Sequence, residues 1–356
     1  MSESLVIASH CGPYRVDFDR VPEALAADGK PCHVIVDSRV ADLHGQRLAS
    51  ILDSAASVLR VEATEDNKSL DAFPPYVEQL VAHGLRRDHV LLAIGGGIIQ
   101  DITCFLASTM LRGVDWHFIP TTLLAQADSC IGSKSSVNCG AAKNILGTFK
   151  PPRRIVLDTR FLETLDRREI HSGVGEILKV HAIAGAHAFD TLAAEFDALF
   201  TDDAVLNRAI RRALEIKKGY IETDEFDTGP RLVFNFGHSF GHAIEAATHF
   251  AIPHGIAVTI GMDMAAAIAA GLGLEDGSAQ HRMHAVLAAN YQGFEDVPIP
   301  LDPFMAALSK DKKNTGAGQV TVILPQPDGG VARVVVAADQ RFRDLCVDYL
   351  NHGRRA

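Results

Sequence analysis

The chain is short of most features that mark a specialised protein. Aromatic residues fill 6% of its 356 positions, with a single Trp, and no tract is biased or repeated, so neither disorder nor a repeat array is expected. Basic residues are outnumbered: 34 Lys and Arg against 44 Asp and Glu give a formal charge of -10, which argues against a general binder of nucleic acid or anionic membrane. Any anionic ligand must therefore meet a local basic cluster. The six cysteines, Cys11, Cys32, Cys104, Cys130, Cys139 and Cys346, form no CxxC pair and no short disulfide framework, which points to a reducing compartment. Met1-Ser2-Glu3-Ser4 lacks the basic region and apolar stretch of a signal peptide, and a cytoplasmic location is expected. The most apolar long window, Gly255 to Gly273, contains Asp263 and is rich in Gly and Ala, so it reads as a buried helix rather than a membrane span.

What is present suggests two domains, each large enough to bury a core. The first third alternates β-branched runs with amphipathic stretches: His33–Asp37 precedes a helical pattern from Ala41 to Leu52, and His89–Ile94 runs into Gly95-Gly96-Gly97 and then the apolar segment Ile98–Met110. Alternation of this kind indicates βαβ units and a parallel sheet. From Pro151-Pro152 onward the texture turns helical, over Arg167–Gly185, Asp203–Tyr220 and His238–Phe250. A boundary near residue 160 follows, giving an α/β domain over 1–160 and a mainly helical one over 161–356.

Three constellations can carry chemistry. Gly95-Gly96-Gly97 at a strand end lets backbone N–H groups approach a phosphate, although tight turns without ligands use the same residues and the GxGxxG spacing is absent. Asp101 one turn later, and Asp37 ending an earlier strand where a ribose hydroxyl finds an acceptor, add weight to a dinucleotide site. His238 and His242 stand at i and i+4 on one helical face, His254 follows in Pro253-His254-Gly255, and Glu176 lies in an apolar helix where an unpartnered carboxylate is costly. Three N/O donors with an open position make a catalytic zinc site, while a core or capping role is the plain alternative for each residue. The third set is basic: Arg112, Lys134, Lys143, Lys179, Lys217 and Arg231, interleaved with Asn138, Asn144 and Asn235. It either faces an anion or is solvated surface.

Taken in order, Gly95–Asp101, Leu111-Arg112-Gly113, Pro120–Leu124, Asp128–Lys134, Lys143-Asn144, Gly175–Lys179, Asn235–His242 and His254-Gly255 resemble the 3-dehydroquinate synthase family of sugar-phosphate cyclases. The resemblance implies a Rossmann-like NAD-binding domain followed by a helical metal-binding domain. By it, Glu176, His238 and His254 correspond to ligands of Zn2+, with Co2+ as the other candidate ion. NAD contacts fall on Asp37, Glu65, Lys68, Gly96, Gly97, Asp101, Thr121, Thr122, Asp128, Lys143, Thr164 and Glu169. A phosphate and carboxylate clamp falls on Arg112, Lys134, Asn144, Lys179, Lys217, Arg231, Asn235 and His242, with a late lysine at Lys312 or Lys313. The counterpart of Arg112 reaches a neighbouring subunit's site, so a homodimer is expected.

The reaction implied is transient oxidation by NAD, phosphate elimination, return of hydride and aldol ring closure, with a heptulosonate 7-phosphate as substrate and aromatic amino acid biosynthesis as the setting. A secondary-metabolism cyclase acting on sedoheptulose 7-phosphate or another sugar phosphate is the alternative. A metal-dependent NAD polyol or alcohol dehydrogenase is a further one, and it needs no phosphate clamp. Ser133, Gln100, Ile256 and Val180-His181 depart from the family's usual residues near the expected site.

Overall fold

Short runs of aliphatic and β-branched residues build the first sheet. Its strands are Leu5–Ile7 (β1), Tyr14–Phe18 (β2), Cys32–Asp37 (β3), Ser57–Val61 (β4), Val90–Gly95 (β5), Asp115–Pro120 (β6) and, after a separate hairpin of Lys134–Cys139 (β7) with Ala142–Phe149 (β8), Arg154–Leu157 (β9). They lie in the order β1-β2-β9-β6-β5-β3-β4, and every pairing is parallel except that of β1 with β2. β5 is buried along its whole length, which explains why it reads as a continuous apolar run rather than an alternating one. These residues belong to a computed structural model that describes residues 4–21, 29–140, 142–310 and 318–355.

The strand order fixes where a ligand can enter this sheet. From β3 the chain steps outward to β4, then crosses back so that β5 lies on the other side of β3; the order reverses between β3 and β5. Crevices in open parallel sheets form at the carboxyl ends of strands at such a reversal. Asp37 ends β3 and caps the Ser38–Ser54 helix by accepting from the Arg39 N–H, while Gly95 ends β5 and leads into the Gly97–Thr109 helix, which has no side-chain cap.

The chain divides into two compact units, Met1–Asp166 with Lys217–Asp227, and Arg167–Ile216 with Thr228–Ala356. No shift in composition marks Lys217–Asp227, the end of the Asp203–Thr223 helix and the turn after it, as part of the first unit.

The second unit is built on the His254–Leu272 helix, against which the helices Arg167–Ile183, His238–Ala247, Ser278–Asn290 and Gln340–Asn351 pack. Apolar on all sides, it is long and apolar enough to cross a membrane, yet 78% of its apolar window is buried inside the protein, as in a core helix. Its one charge, Asp263, accepts from Tyr291 Oη at 2.9 Å and Tyr349 Oη at 2.8 Å and lies 3.0 Å from His284 Nδ1. Glycines let the neighbours of this helix come to backbone contact. A Cβ added to Gly175 would lie 2.3 Å from the Gly255 carbonyl oxygen, and one added to Gly261 would lie 2.1 Å from that of Gly237. A hairpin, Gln319–Pro325 (β10) with Val331–Ala337 (β11), completes the described part of the unit.

Gly261→Ala puts a methyl group against a backbone oxygen that no rotamer change can move. It is expected to destabilise the protein by about 3 kcal/mol, read as a fall in the urea midpoint. An unchanged midpoint would mean that the two helices separate at no cost.

Candidate active site

In the second unit the glycine contacts bring one carboxylate and three imidazoles together. Gly175 and Gly255 each precede or follow a candidate ligand, Glu176 and His254, so close approach of their helices is what juxtaposes the two side chains. Glu176 Oε1 lies 3.4 Å from His254 Nε2 and 3.7 Å from His238 Nε2. Two donors on one tetrahedral zinc, each about 2.0–2.1 Å from the ion, stand about 3.3–3.4 Å apart, so these separations fit a shared divalent ion. One ring nitrogen each from His238, His242 and His254 also lies within 4.8 Å of the others, with His242 exposed. The donor chemistry and spacing therefore suit a divalent metal, with Glu176, His238 and His254 as a compact set and His242 at its open side.

Charge within this cluster is balanced internally. Burial opposes ionisation of Glu176, but Lys179 and His254 outweigh it and hold its pKa well below the usual carboxylate range. Lys179, itself buried, pairs with Glu176 Oε2 and has its Nζ 5.7 Å from the centre of the Phe234 ring. Burial likewise opposes the charge on His254, yet Glu176 and Glu245 push its pKa up to about 10. Glu245 holds His254 Nδ1 at 3.2 Å from both of its oxygens, which leaves Nε2 turned to Glu176. An ion taking Nε2 would have to displace a proton from it.

Arg231 is buried in the Pro230–Asn235 turn, where the Asn235 side-chain amide donates to the Leu232 carbonyl at 3.0 Å. Glu169 lies exposed in the first turn of the Arg167–Ile183 helix.

In the first unit a second network lies beyond the carboxyl ends of the strands. Lys68, buried, donates to Asn144 Oδ1 at 2.9 Å and to Asp101 Oδ2 at 3.3 Å, and lies 3.4 Å from Glu65 Oε1. Asn138 donates to Glu65 Oε2 at 2.9 Å and accepts from the Asn144 N–H at 2.8 Å. Asn144 adopts φ 52°, a left-handed conformation that asparagine tolerates better than most residues. Burial raises Asp101 to about 6 against the opposing effect of Lys68, so this carboxyl titrates near neutrality. Desolvation also raises Asp37. Lys143 on β8 is exposed and adds to the positive field that, with the Asn138 hydrogen bond and Lys68, outweighs desolvation at Glu65 and lowers its pKa.

A Cβ on Gly96 would meet the Thr122 methyl at 3.0 Å, whereas Gly97 faces open space, so the start of this helix is bare backbone. Thr121 donates its N–H to the Gly95 carbonyl at 2.9 Å, and Thr122 Oγ1 accepts from the Ala125 N–H. Bare N–H groups at the reversal point, beside acidic groups, suit a dinucleotide pyrophosphate and ribose.

Two further candidates are ion-paired. Lys217 reaches Asp128 Oδ1 at 2.7 Å within a π-helical turn over Ala125–Ser129, and Lys134 pairs with Asp227. Arg112 is exposed on a turn where Leu111, Arg112 and Gly113 have φ of 52°, 62° and 121°. Thr164 bonds His44 Nε2 at 2.7 Å and joins none of these networks. Lys312 and Lys313 lie outside the described residues.

The sequence reading passed over Glu245 and Asp227. A signal for Glu245 existed, since it is a carboxylate buried in the His238–Ala247 helix, one turn after His242. Nothing in the sequence around Asp227 pointed to Lys134. Glu245→Gln is expected to weaken metal affinity about 10- to 100-fold, because the carboxylate that orients a ligating imidazole sets its basicity. Competition with a chromophoric chelator measures this; wild-type affinity would remove Glu245 from the site.

Models of the families described as 3-dehydroquinate synthase N-terminal and 3-dehydroquinate synthase C-terminal match residues 58–172 and 173–314. The 3-dehydroquinate synthase of Alkaliphilus metalliredigens is 35% identical over 310 residues, covering 86% of this chain and 87% of its own length. Among solved structures, 2-epi-5-epi-valiolone synthase from Streptomyces hygroscopicus subsp. jinggangensis 5008, with NAD+ and Zn2+ bound, is 28% identical, covers 99% of both chains and has a TM-score of 0.85. A 2-deoxy-scyllo-inosose synthase complexed with carbaglucose-6-phosphate, NAD+ and Co2+ shares the fold at 24% identity, with a TM-score of 0.82 over 98% of this chain and 99% of its own. With both halves matched in order and most of its length aligned, the chain belongs to the 3-dehydroquinate synthase family and is a cyclase of the sugar-phosphate cyclase superfamily.

Proposed function

We propose that the chain acts as a 3-dehydroquinate synthase, eliminating phosphate from a heptulosonate 7-phosphate and closing a carbocycle. The observation that carries this reading is the buried Glu176 carboxylate, shared between two imidazoles and the Lys179 ammonium: a metal donor set and an anion-binding cation occupy one cluster. When bound, NAD supplies a transient oxidant and a zinc or cobalt ion a Lewis acid.

Glu176, His238 and His254 would hold the ion, with Glu245 fixing the orientation of His254. Gly96, Gly97, Thr121 and Thr122 would hold the pyrophosphate of NAD and Asp37 its ribose, within a site that Glu65, Lys68, Asp101, Asp128 and Lys143 complete; Thr164, bonded to His44, and Glu169 rest on the family resemblance alone. Glu176 neutralises Lys179, and an ion drawing on the same carboxylate would leave the ammonium's donors for the substrate phosphate. Lys134 and Lys217 are likewise held by Asp227 and Asp128, so each is oriented before an anion arrives. Arg112, Arg231, Asn144 and Asn235 complete the clamp for phosphate and carboxylate, Arg231 offering the planar fork that a carboxylate matches. His242, 5.7 Å from His254 between ring centres, takes or gives a proton at a substrate hydroxyl through its exposed ring. The departing phosphate can itself accept the proton lost beside the transient ketone.

The departures from the family's usual residues lie at buried positions. Gln100 and Ser129 exchange two hydrogen bonds, at 2.6 and 2.8 Å, in the interior. Ser133 and Ile256 are buried, and His181 spends Nδ1 on the Ile177 carbonyl at 2.8 Å. The Ser133 hydroxyl is buried without a hydrogen-bond partner among the described residues, and this change keeps the secondary-metabolism cyclase as the alternative. The buried cations Lys179 and Lys217 weigh against a polyol dehydrogenase, which has no phosphate to bind.

A panel of phosphorylated heptuloses and hexoses, read by phosphate release and product NMR, tests the substrate. Release from the heptulosonate 7-phosphate, without build-up of NADH, is expected; selective turnover of sedoheptulose 7-phosphate would move the assignment to the carboxylate-free cyclases, and stoichiometric NADH from a polyol would end the cyclase reading. Lys179→Ala should lower phosphate release by about 100-fold or more while the protein stays folded. We also infer a homodimer in which Arg112 serves the neighbouring site. Mixing inactive Arg112→Ala and Lys179→Ala proteins should then restore turnover, since one site of the mixed dimer keeps both residues; a fully active monomer would refute the arrangement.

A further inference from the structure

Apart from both candidate sites, the turn between β1 and β2 carries Ser9-His10-Cys11. Cys11 Sγ lies 3.0 Å from His10 Nε2, and His10 Nδ1 lies 2.9 Å from Glu225 Oε1. Glu225 also accepts from Ser9 Oγ at 2.6 Å and from the His10 N–H at 2.8 Å. A thiol on one imidazole nitrogen and a carboxylate on the other is the arrangement in which the ring takes the thiol proton and the carboxylate stabilises the resulting cation.

The parts are held in place. The His10 ring packs on Phe226 at 5.1 Å between centroids, and Phe226 packs on Phe149 at 5.0 Å. Burial opposes ionisation of Glu225, but its hydrogen bonds from Ser9 and His10 outweigh that and keep it a carboxylate. Arg153, whose Nε is paired with Asp115 at 3.0 Å, donates Nη1 to the Cys11 carbonyl at 2.6 Å and ties the turn down. Cys11 itself is exposed.

We propose that Cys11 is a thiol-exchange site, worked by His10 and Glu225, that forms mixed disulfides with low-molecular-weight disulfides. His10 Nε2 accepts the thiol proton, and the Cys11 sulfur attacks one sulfur of the incoming disulfide. The disulfide bond breaks as the new one forms, and the second sulfur leaves as a thiolate that takes up the proton. Cys11 is oxidised and the leaving sulfur reduced, so no other oxidant is required. An imidazolium neighbour is what makes a thiol selective in this chemistry.

Cys139 is the internal control: it is also exposed, and among the described residues its thiol has no hydrogen-bond partner. The full chain is treated at pH 7 with oxidised glutathione and, separately, with 5,5′-dithiobis(2-nitrobenzoate), and each cysteine is followed by peptide mass spectrometry. Cys11 is expected to react about tenfold faster than Cys139, and to lose that lead in denaturant. His10→Gln and Glu225→Gln should each bring Cys11 down to the rate of Cys139, with the buried Cys104, Cys130 and Cys346 still protected as the sign of an intact fold. The proposal is overturned by equal rates in the native protein, by a lead that survives denaturant, or by an unchanged Cys11 rate in folded His10→Gln.

Discussion

Glu176 has 1% exposure in a helix whose residues from Ser172 to Ile183 are all buried, and a carboxylate in such a place persists only where positive charge surrounds it. Lys179 one turn away, His254 and His238 provide that charge, and they can reach it only because glycines remove the side chains that would keep the helices apart. Packing and chemistry are thus one constraint in the second unit. A residue larger than glycine at 175 or 255 would move the helices before it altered any donor. Removal of a donor would leave a buried charge without compensation. A divalent ion resolves the same problem more completely than two imidazoles do, which is why the cluster reads as a metal site and not as a structural ion pair.

The first unit solves a different problem. The protein is acidic overall, and its lysines are drawn to carboxylates. Lys68, Lys134 and Lys217 are each so held, by Asp101 and Glu65, by Asp227, and by Asp128. Pairing fixes the direction of each long side chain and removes part of the entropy that a phosphate would otherwise have to freeze.

Much of this was legible in the residues. β5 and its glycine turn, Asp37 at a strand end, the apolar Gly173–Lys179 helix and the His238/His242 pair each carry a local pattern with a local cause, and each forms the element its pattern indicates. Read through the sheet order, the glycines gain a meaning that a triple glycine lacks in sequence, because the reversal between β3 and β5 is a property of strand placement. What stayed hidden was non-local. Asp227 meets Lys134 across 93 positions, and the two hydrogen bonds between Gln100 and Ser129 turn an apparent anomaly into an interior pair. Glu245 carried a sequence signal of its own, but its partner starts a different helix nine residues on, so only the fold shows that it faces His254.

The segment Lys217–Asp227 shows how a stretch with no sequence signature can belong to a unit it does not begin in. Its helix starts at Asp203 in the second unit, yet five of its residues bond to the first: Lys217 to Asp128, Glu222 to the Ala8 N–H, Glu225 to Ser9 and His10, Phe226 to Phe149, and Asp227 to Lys134. Four of the five contacts involve a charged side chain, and apart from the buried Lys217–Asp128 pair such contacts contribute little to stability, about 1 kcal/mol or less each. Their common effect is directional. Within three residues the turn holds Glu225 against the Cys11–His10 pair and Asp227 against Lys134, so the backbone that positions one positions the other. A segment that served stability alone would more economically bury apolar surface; one that ends in paired charges is suited to holding side chains at defined angles to incoming ligands.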